Sequence, residues 1–514
     1  MSIHTERHHW LWLGAVLLVV LAIGLWNLEG TRPWWDEGWT LSVARNIVER
    51  GMYVRLLNGE PVAHGLEASI PVTELVALSM RLFGVGLWQG RLPGVILAVV
   101  GLGLSVVIAK RMYGWPVGWA TLFALLLLIP SPVIHPLHQG REVMAETPMY
   151  VSLLLGYLLT DLAARRSLWL LPVVVLAWAG ALSVKAQPLP FWVVSLLCGI
   201  GAAAMLRQWR YVLVLLVGLI GGVTLRTPLY ALITMWAAPP FSAIPVEGLL
   251  EVTAFVPDLQ TRQWVLERWL SFGLLSTAGM AYAGYRLWQL LRSSEARDSS
   301  VATPLILAVC MFGLTATWAI WFLLLAVGMV RYMAPPIYFA SPFVALLLAN
   351  LTNQFDLAAV RQALRIPYAQ AQRRVFWLLQ RVVFVLVAAF VPLTLGVVTY
   401  FIAIDQNRTA QQTVAFLHAQ PDDPIIETYE TELHFLLDRR YHWPPDQAHV
   451  ELNRRMFLGD DVAIPYDPLI ADPDFLVVGG FARTTFLYDD LIATGAFRLV
   501  QEYGEYAIYE RVRS

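Results

Sequence analysis

The chain has 514 residues, 58% of them hydrophobic and only 14% charged, and its mean hydropathy is +0.59. That composition excludes a single ordinary soluble domain and requires lipid as part of the solvent, so the chain is read as a polytopic membrane protein. A net charge of -1, with basic residues dispersed between apolar runs, excludes a nucleic-acid partner, because phosphate backbones need a basic face.

Crossing about 30 Å of hydrocarbon takes roughly 20 helical residues. Eleven apolar runs are long enough, near residues 10-28, 92-109, 115-134, 147-164, 168-184, 188-206, 211-231, 269-290, 303-327, 334-351 and 382-403. The first is long for a signal-peptide core and lacks a small-x-small cleavage site, so it is read as a retained span. The segment from Pro71 to Gly86 is apolar but short and interrupted by Glu74 and Arg81. It is placed on the membrane surface as an amphipathic helix inside a first external loop, 29-91. Cys198 and Cys310 lie inside apolar runs and read as small core residues, not as a disulfide or metal pair.

Arg and Lys in short loops gather on the cytoplasmic side of a membrane. With the surface helix, Arg7, Lys110-Arg111, Arg165-Arg166, Arg207 with Arg210, Arg292 with Arg297, and the run Arg361, Arg365, Arg373, Arg374 and Arg381 all fall on one side. A crossing at 71-86 would send Lys110-Arg111 and Arg165-Arg166 to the other. The expected location is the cell (plasma) membrane, with a cytoplasmic N-terminus and an extracytoplasmic C-terminus. A polar external loop at 236-268, holding Pro239-Pro240, Glu247, Glu251, Asp258, Arg262 and Glu267, is read as a lid. Residues 1-404 form the transmembrane domain. From Asp405 onward the composition turns soluble, and 405-514 is predicted to be a small external α/β domain with a helix at 411-420, strands at 424-428 and 474-480, and a hairpin or terminal strand at 500-512. Its sequence holds no catalytic constellation, which leaves acceptor binding or scaffolding as its role.

The topology brings dispersed polar residues to one external face. Thr31-Arg-Pro-Trp-Trp-Asp36-Glu37-Gly-Trp39 sets an acidic pair among tryptophans just after the first span. Trp34, Trp35 and Trp39 read as interface anchors, which holds Asp36 and Glu37 close to the hydrocarbon. Joining them are His64, Glu67, Arg141, Glu142, Glu146, Lys185 and Arg331. Glu142 and Glu146 are spaced i, i+4 and share a face if their helix begins near Arg141. Lys185 sits at a tight external turn in a chain with one other lysine, Lys110. A compact ammonium there suits a phosphate. His64 and Glu67, at i, i+3, are compatible with joint contact to a divalent metal, yet two ligands do not define a metal site.

The acidic pair after the first span, Arg141-Glu-Val-Met-Ala-Glu146-Thr-Pro148 opening a helix, the Lys185 turn, the Arg331-Tyr332 pair before a proline-bearing span and the Arg91-Leu-Pro93 stretch resemble the lipid-phosphosugar-dependent GT-C glycosyltransferases, among them protein O-mannosyltransferases and the aminoarabinose transferase. The likeness covers roughly residues 10 to 350. It implies that Asp36 is the catalytic base or orienting carboxylate with Glu37 beside it and that Glu146 is the second acid. From their shared external face, Arg141, Glu142, Lys185, Arg331, Tyr332, His64 and Glu67 are expected to contact substrate. Where the family often has His or Lys followed by Pro-Pro-Leu, this chain has His64-Gly-Leu-Glu67, so no specific acceptor or metal follows. Trp34-Trp-Asp-Glu-Gly38 also has a superficial likeness to the Trp-Trp-Asp-Tyr-Gly motif of oligosaccharyltransferases, which belongs in a soluble domain and is discounted.

The resemblance implies an inverting transfer of a hexose or pentose from a polyprenyl-phosphate carrier to a protein, lipid or glycan acceptor outside the membrane, with no certain cofactor. A flippase or transporter of lipid-linked sugars is the alternative, since it too would set basic residues near lipid phosphate. Against it, the polar residues gather on one face and no internal repeat is visible. A structural or sensor protein is a third class.

Overall fold

A computed structural model describes residues 3–62, 65–237, 249–365, 374–438 and 440–513. Helix α1 (Ile3–Leu25) carries the first apolar run. The acidic pair is not a turn after it but the first turn of α2 (Trp35–Arg50), where Glu37 at the third position accepts from the Trp34 amide at 3.2 Å. Carboxylates at that end complement the unpaired amides and the helix dipole, which is why the helix starts there. Gly51, at φ 69, ends it in the left-handed conformation. A hairpin follows, β1 (Arg55–Leu57) and β2 (Glu60–Val62). It turns on Asn58-Gly59 with φ 52 and 84, the backbone that matches strand twist in two-residue hairpins.

Helix α3 (Ile70–Phe83) realises the segment expected at 71-86. At 14 residues it is too short to cross, and it buries Ile70, Val72, Val76, Ala77 and Met80 while Leu75, Leu78, Leu82 and Phe83 face outward. Then come α4 (Leu87–Tyr113), α5 (Trp115–Leu127), the short α6 (Pro136–Gly140), α7 (Glu146–Arg165), α8 (Leu171–Val184), α9 (Leu189–Met205) and α10 (Trp209–Ala237). The run expected to reach 134 stops being helical at Leu127, because Pro130 and Pro132 remove helix donors and push their neighbours toward extended backbone.

The expected lid at 236-268 is only partly loop. Pro239, Pro240 and Glu247 lie outside the described residues, but α11 (Leu249–Thr253) and α12 (Leu259–Phe272) are helices. Asp258 starts the second by accepting from the Thr261 amide at 2.9 Å. They lead into α13 (Leu274–Arg292), α14 (Ser299–Leu324), α15 (Val330–Leu351), α16 (Leu357–Arg365) and α17 (Arg374–Ala403). Among the described residues, seven helices are long and apolar enough to cross a membrane: α1, α4, α7, α10, α14, α15 and α17. Helices α5, α8 and α9 are apolar but shorter. The expected run at 269-290 became the end of α12 and α13, whose Tyr285, Arg286, Trp288 and Gln289 lower its hydropathy.

The chain is a helical membrane protein with a small α/β domain at its C-terminus. That domain comprises α18 (Arg408–His418), β3 (Ile426–Thr428), α19 (Thr431–Leu437), β4 (Tyr441–His442), α20 (Asp446–Asn453), β5 (Phe475–Val478), α21 (Gly480–Thr485), α22 (Asp489–Ala493), β6 (Phe497–Tyr503) and β7 (Tyr506–Arg511). The sheet order is β4-β3-β5-β7-β6, with β3 parallel to β4 and β5, and β7 antiparallel to both its neighbours. All four residues of β5 are buried, as expected for a central strand.

The basic loops near residues 110, 165 and 210 meet one another and the N-terminal segment at one end of the helical domain. Asp161 accepts from Arg111, from Tyr211 and, at 2.7 Å, from Arg165, and Lys110 pairs with Glu6. Which side that end faces is open to a direct check. With Cys198 replaced by Ser, a cysteine at Arg166 should resist impermeant thiol reagents in intact cells, whereas one at Asp422 should react. Labelling at 166 would overturn the expected orientation.

Candidate functional site

Segment 27-39 is held from three directions. From α4, Arg91 donates to both oxygens of Glu37 at 2.7 and 2.9 Å and to the carbonyls of Leu28 and Thr31 at 2.8 and 2.7 Å. Both side chains of the pair are fully buried. Glu37 also accepts from the Val143 amide at 3.1 Å. From the segment before α7, Arg141 donates to the carbonyls of Gly24, Trp26 and Asn27 at 2.6 to 2.8 Å, which closes the C-terminus of α1.

The third hold comes from the C-terminal domain. A Cβ on Gly38 would lie 2.3 Å from the Thr431 hydroxyl and 2.4 Å from its carbonyl carbon, so α2 meets the start of α19 backbone against backbone. Arg32 pairs with Glu430, Glu432 and Glu505. Of the three expected interface anchors, Trp35 and Trp39 are instead buried in protein, and only Trp34 is exposed.

The acids clasping Arg32 also make docking pH-sensitive. Burial raises the Glu430 carboxyl from 4.5 to about 8, with Glu432 pushing the same way, and burial raises Glu432 as well. A carboxyl whose folded pKa is raised stabilises the fold fully below its ordinary value. That contribution declines as pH climbs and is gone above about 8. The melting temperature should therefore fall between pH 6 and pH 9 (both about), and Glu430→Gln should flatten the slope. An unchanged slope in the variant would contradict the assignment.

On the other side of α2 lies a cavity of about 1030 Å³. Two ion pairs stand in its wall. Arg331, from the first turn of α15, donates to Asp36, and Lys185, at the end of α8, donates to Glu146 at 2.6 Å. Tyr332 and Glu67 line it too, as do Thr40 and Thr253, neither of which the sequence reading singled out. An apolar share of the lining comes from Phe191, Val194, Ile320, Trp321 and Leu325 on α9 and at α14, while Ser69, Gln187 and Thr317 add polar groups.

Six of the expected site residues thus meet in one place: Asp36, Glu67, Glu146, Lys185, Arg331 and Tyr332. Glu37 and Arg141 do not reach the cavity, since both are spent on holding backbone. Glu142 does not share a face with Glu146, because α7 begins at Glu146. A helix begun at Arg141 would put Pro148 in its interior, whereas starting at Glu146 leaves Pro148 in the first turn, where it has no bond to lose. Glu142 lies instead 3.4 Å from His138. Burial, with Glu37 adding to it, pushes its carboxyl up to about 8, so it offers no fixed charge near neutrality.

His64 lies outside the described residues. Glu67 turns to Arg55, at 3.5 Å, and to the Gly65 amide, and among the described residues no three acids, histidines or cysteines group as metal ligands. Sequence reasoning missed Arg55 entirely. Its guanidinium lies over both the Trp39 and Trp443 rings, which meet edge to face, and donates to both oxygens of Asp446 at 2.8 and 2.6 Å. The nearest sequence signal was a lone arginine inside a strand.

No protein-family model matches the chain, and no curated protein matches it by sequence. Among solved structures, ArnT from Cupriavidus metallidurans bound to undecaprenyl phosphate superposes with a TM-score of 0.61 at 16% identity, over 98% of each chain. Its apo state gives 0.61 at 16% identity, over 99% of each. AglB, the archaeal oligosaccharyltransferase from Archaeoglobus fulgidus in complex with an inhibitory peptide and a dolichol-phosphate, gives 0.54 at 11% identity, covering 100% of this chain and 75% of that one. Both proteins have the GT-C glycosyltransferase architecture, and the present chain shares that fold.

Proposed function

We propose that this GT-C-fold chain is a membrane glycosyltransferase that moves a sugar from a polyprenyl-phosphate carrier to an acceptor outside the cytoplasmic membrane. The observation that carries this reading is one cavity lined both by the ion pairs Asp36–Arg331 and Glu146–Lys185 and by apolar side chains of α9 and α14. An amphiphile with a charged head and an isoprenoid tail matches both. The undecaprenyl phosphate and dolichol-phosphate held by the two similar structures support a ligand of that class.

In the proposed reaction the acceptor oxygen attacks the anomeric carbon as its proton passes to Asp36. The bond from that carbon to the phosphate oxygen breaks, and its electron pair leaves with the polyprenyl phosphate, whose charge Lys185 and Arg331 offset. Displacement in one step inverts the anomeric carbon. Glu146 fixes Lys185, and Tyr332 and Glu67 border the sugar. The sidedness of the reaction, the division at residue 404 and the identity of sugar and acceptor belong to the same proposal.

Removing one ammonium or guanidinium from a phosphate contact costs about 1.5–3 kcal/mol, or roughly 10- to 100-fold in affinity. Lys185→Met and Arg331→Met are therefore each expected to weaken binding of undecaprenyl phosphate, read by ligand-induced change in melting temperature. If both bind as tightly as the wild type, the phosphate site lies elsewhere.

A further inference from the structure

Trp35 directly precedes Asp36, and the C-terminal domain grips it at three points. Its ring lies flat against His449, with centroids 4.2 Å apart and planes 10° from parallel. Its indole N–H donates to the Tyr429 carbonyl at 3.1 Å. Its own carbonyl accepts from the Thr431 hydroxyl. Two of the gripping residues are themselves fixed, since Tyr429 bonds to one nitrogen of His449 while Asn453 lies 2.9 Å from the other. The third, Thr431, is the residue against which Gly38 closes.

Asp36 has much less of its own. Among the described residues its carboxylate has one hydrogen-bond partner, Arg331, and Arg331 is also the cation proposed to meet phosphate. Once a phosphate competes for that guanidinium, the direction of the Asp36 carboxylate is set by the backbone of α2's first turn. That turn is held where Trp35 is held.

We propose that His449, Tyr429 and Thr431 are positioning residues, through which the C-terminal domain aims the Asp36 carboxylate at the acceptor by clamping Trp35. This rests on the glycosyltransferase reading above. A carboxylate displaced by about 1 Å loses up to roughly 100-fold in rate without any change at the phosphate subsite. The clamp therefore acts on the transfer step and leaves carrier binding alone. It also gives the C-terminal domain a part in the chemistry without supplying a reacting group.

The full chain, reconstituted in liposomes, separates these effects. Donor is undecaprenyl phosphate carrying a labelled hexose or pentose, whichever the wild type turns over, with envelope extract as the acceptor source. Carrier affinity is measured with undecaprenyl phosphate itself. His449→Ala removes the stacked ring and should lower the maximal rate about 10-fold with carrier affinity within about twofold, and His449→Phe, which restores a flat ring, should recover most of the rate.

Thr431→Val, equal in shape but without the hydroxyl, provides an independent probe should His449→Ala fail to fold, and should show the same rate-only loss. Wild-type rates in His449→Ala or in Thr431→Val overturn the clamp, as does equal loss of rate and carrier affinity, or a Phe variant as slow as Ala. In each of those cases an inactive Asp36→Asn leaves the glycosyltransferase reading standing. An active Asp36→Asn overturns the clamp, because the carboxylate it aims is then not the one used, and only if Glu146→Gln is active as well, or the wild type turns over neither donor, does the glycosyltransferase reading fall with it.

Discussion

Asp36→Asn is expected to lower glycosyl transfer by about 100-fold or more while leaving the fold and the carrier affinity intact. The carboxamide keeps the volume of the side chain and its place beside Arg331, but it cannot take the proton of an attacking hydroxyl. With the ion pair gone, Arg331 is freer to meet phosphate, so carrier binding should hold or tighten. Glu146→Gln tests the division of labour. Glu146 contacts Lys185 rather than Arg331, and an acid that arranges the site should raise the acceptor requirement more than it lowers the maximal rate. Near wild-type transfer by Asp36→Asn together with an inactive Glu146→Gln would exchange the two roles. Normal transfer by both would remove the chemical basis of the glycosyltransferase reading and move the lipid-linked sugar transporter to first place.

The second large effect concerns stability. Arg91→Met should destabilise the protein by about 3–5 kcal/mol, because removing one partner of a buried ion pair leaves the other charge uncompensated. Here it also strips the carbonyls of Leu28 and Thr31 of their donor, at the point where α1 hands the chain to α2. The loss should be read as denaturant or thermal unfolding in detergent. Glu37→Gln, which keeps the capping bond and part of the contact, should cost less. The double variant Arg91→Met with Glu37→Gln should cost less than the sum, since the first change already breaks the pair that the second weakens. A loss under about 1 kcal/mol in Arg91→Met would show that segment 27-39 is held by something other than this pair.

What the sequence made legible follows from the physics of each signal. The helices were readable because lipid demands long apolar runs, and the strand at 475-478 because burial on both faces leaves an unbroken apolar stretch. Asp36, Glu146, Lys185 and Arg331 could be gathered on one face from loop charges and motif order. Their pairing could not, since Asp36 and Arg331 are 295 residues apart and no periodicity connects them. Arg141 was assigned to substrate because its true partners are backbone carbonyls, which have no side-chain signature. Trp35 and Trp39 were taken for lipid anchors because an indole that meets lipid and one that meets a folded domain look alike in a sequence. The start of α7 was misplaced by giving the i, i+4 spacing of two acids more weight than the proline two residues beyond the second.

The hold of Thr431 on Trp35 joins residues 396 apart. A ribosome making about 5–20 residues per second needs roughly 20–80 s to cover that distance, so every helix through α17 is made before the clamp exists. A chain still being synthesised can insert α1 through α17 and form the cavity while its first-turn carboxylate stays unaimed. On the proposed reading, full activity then waits until the last fifth of the chain has folded back onto the segment after α1, so translation itself delays the use of carrier by unfinished copies.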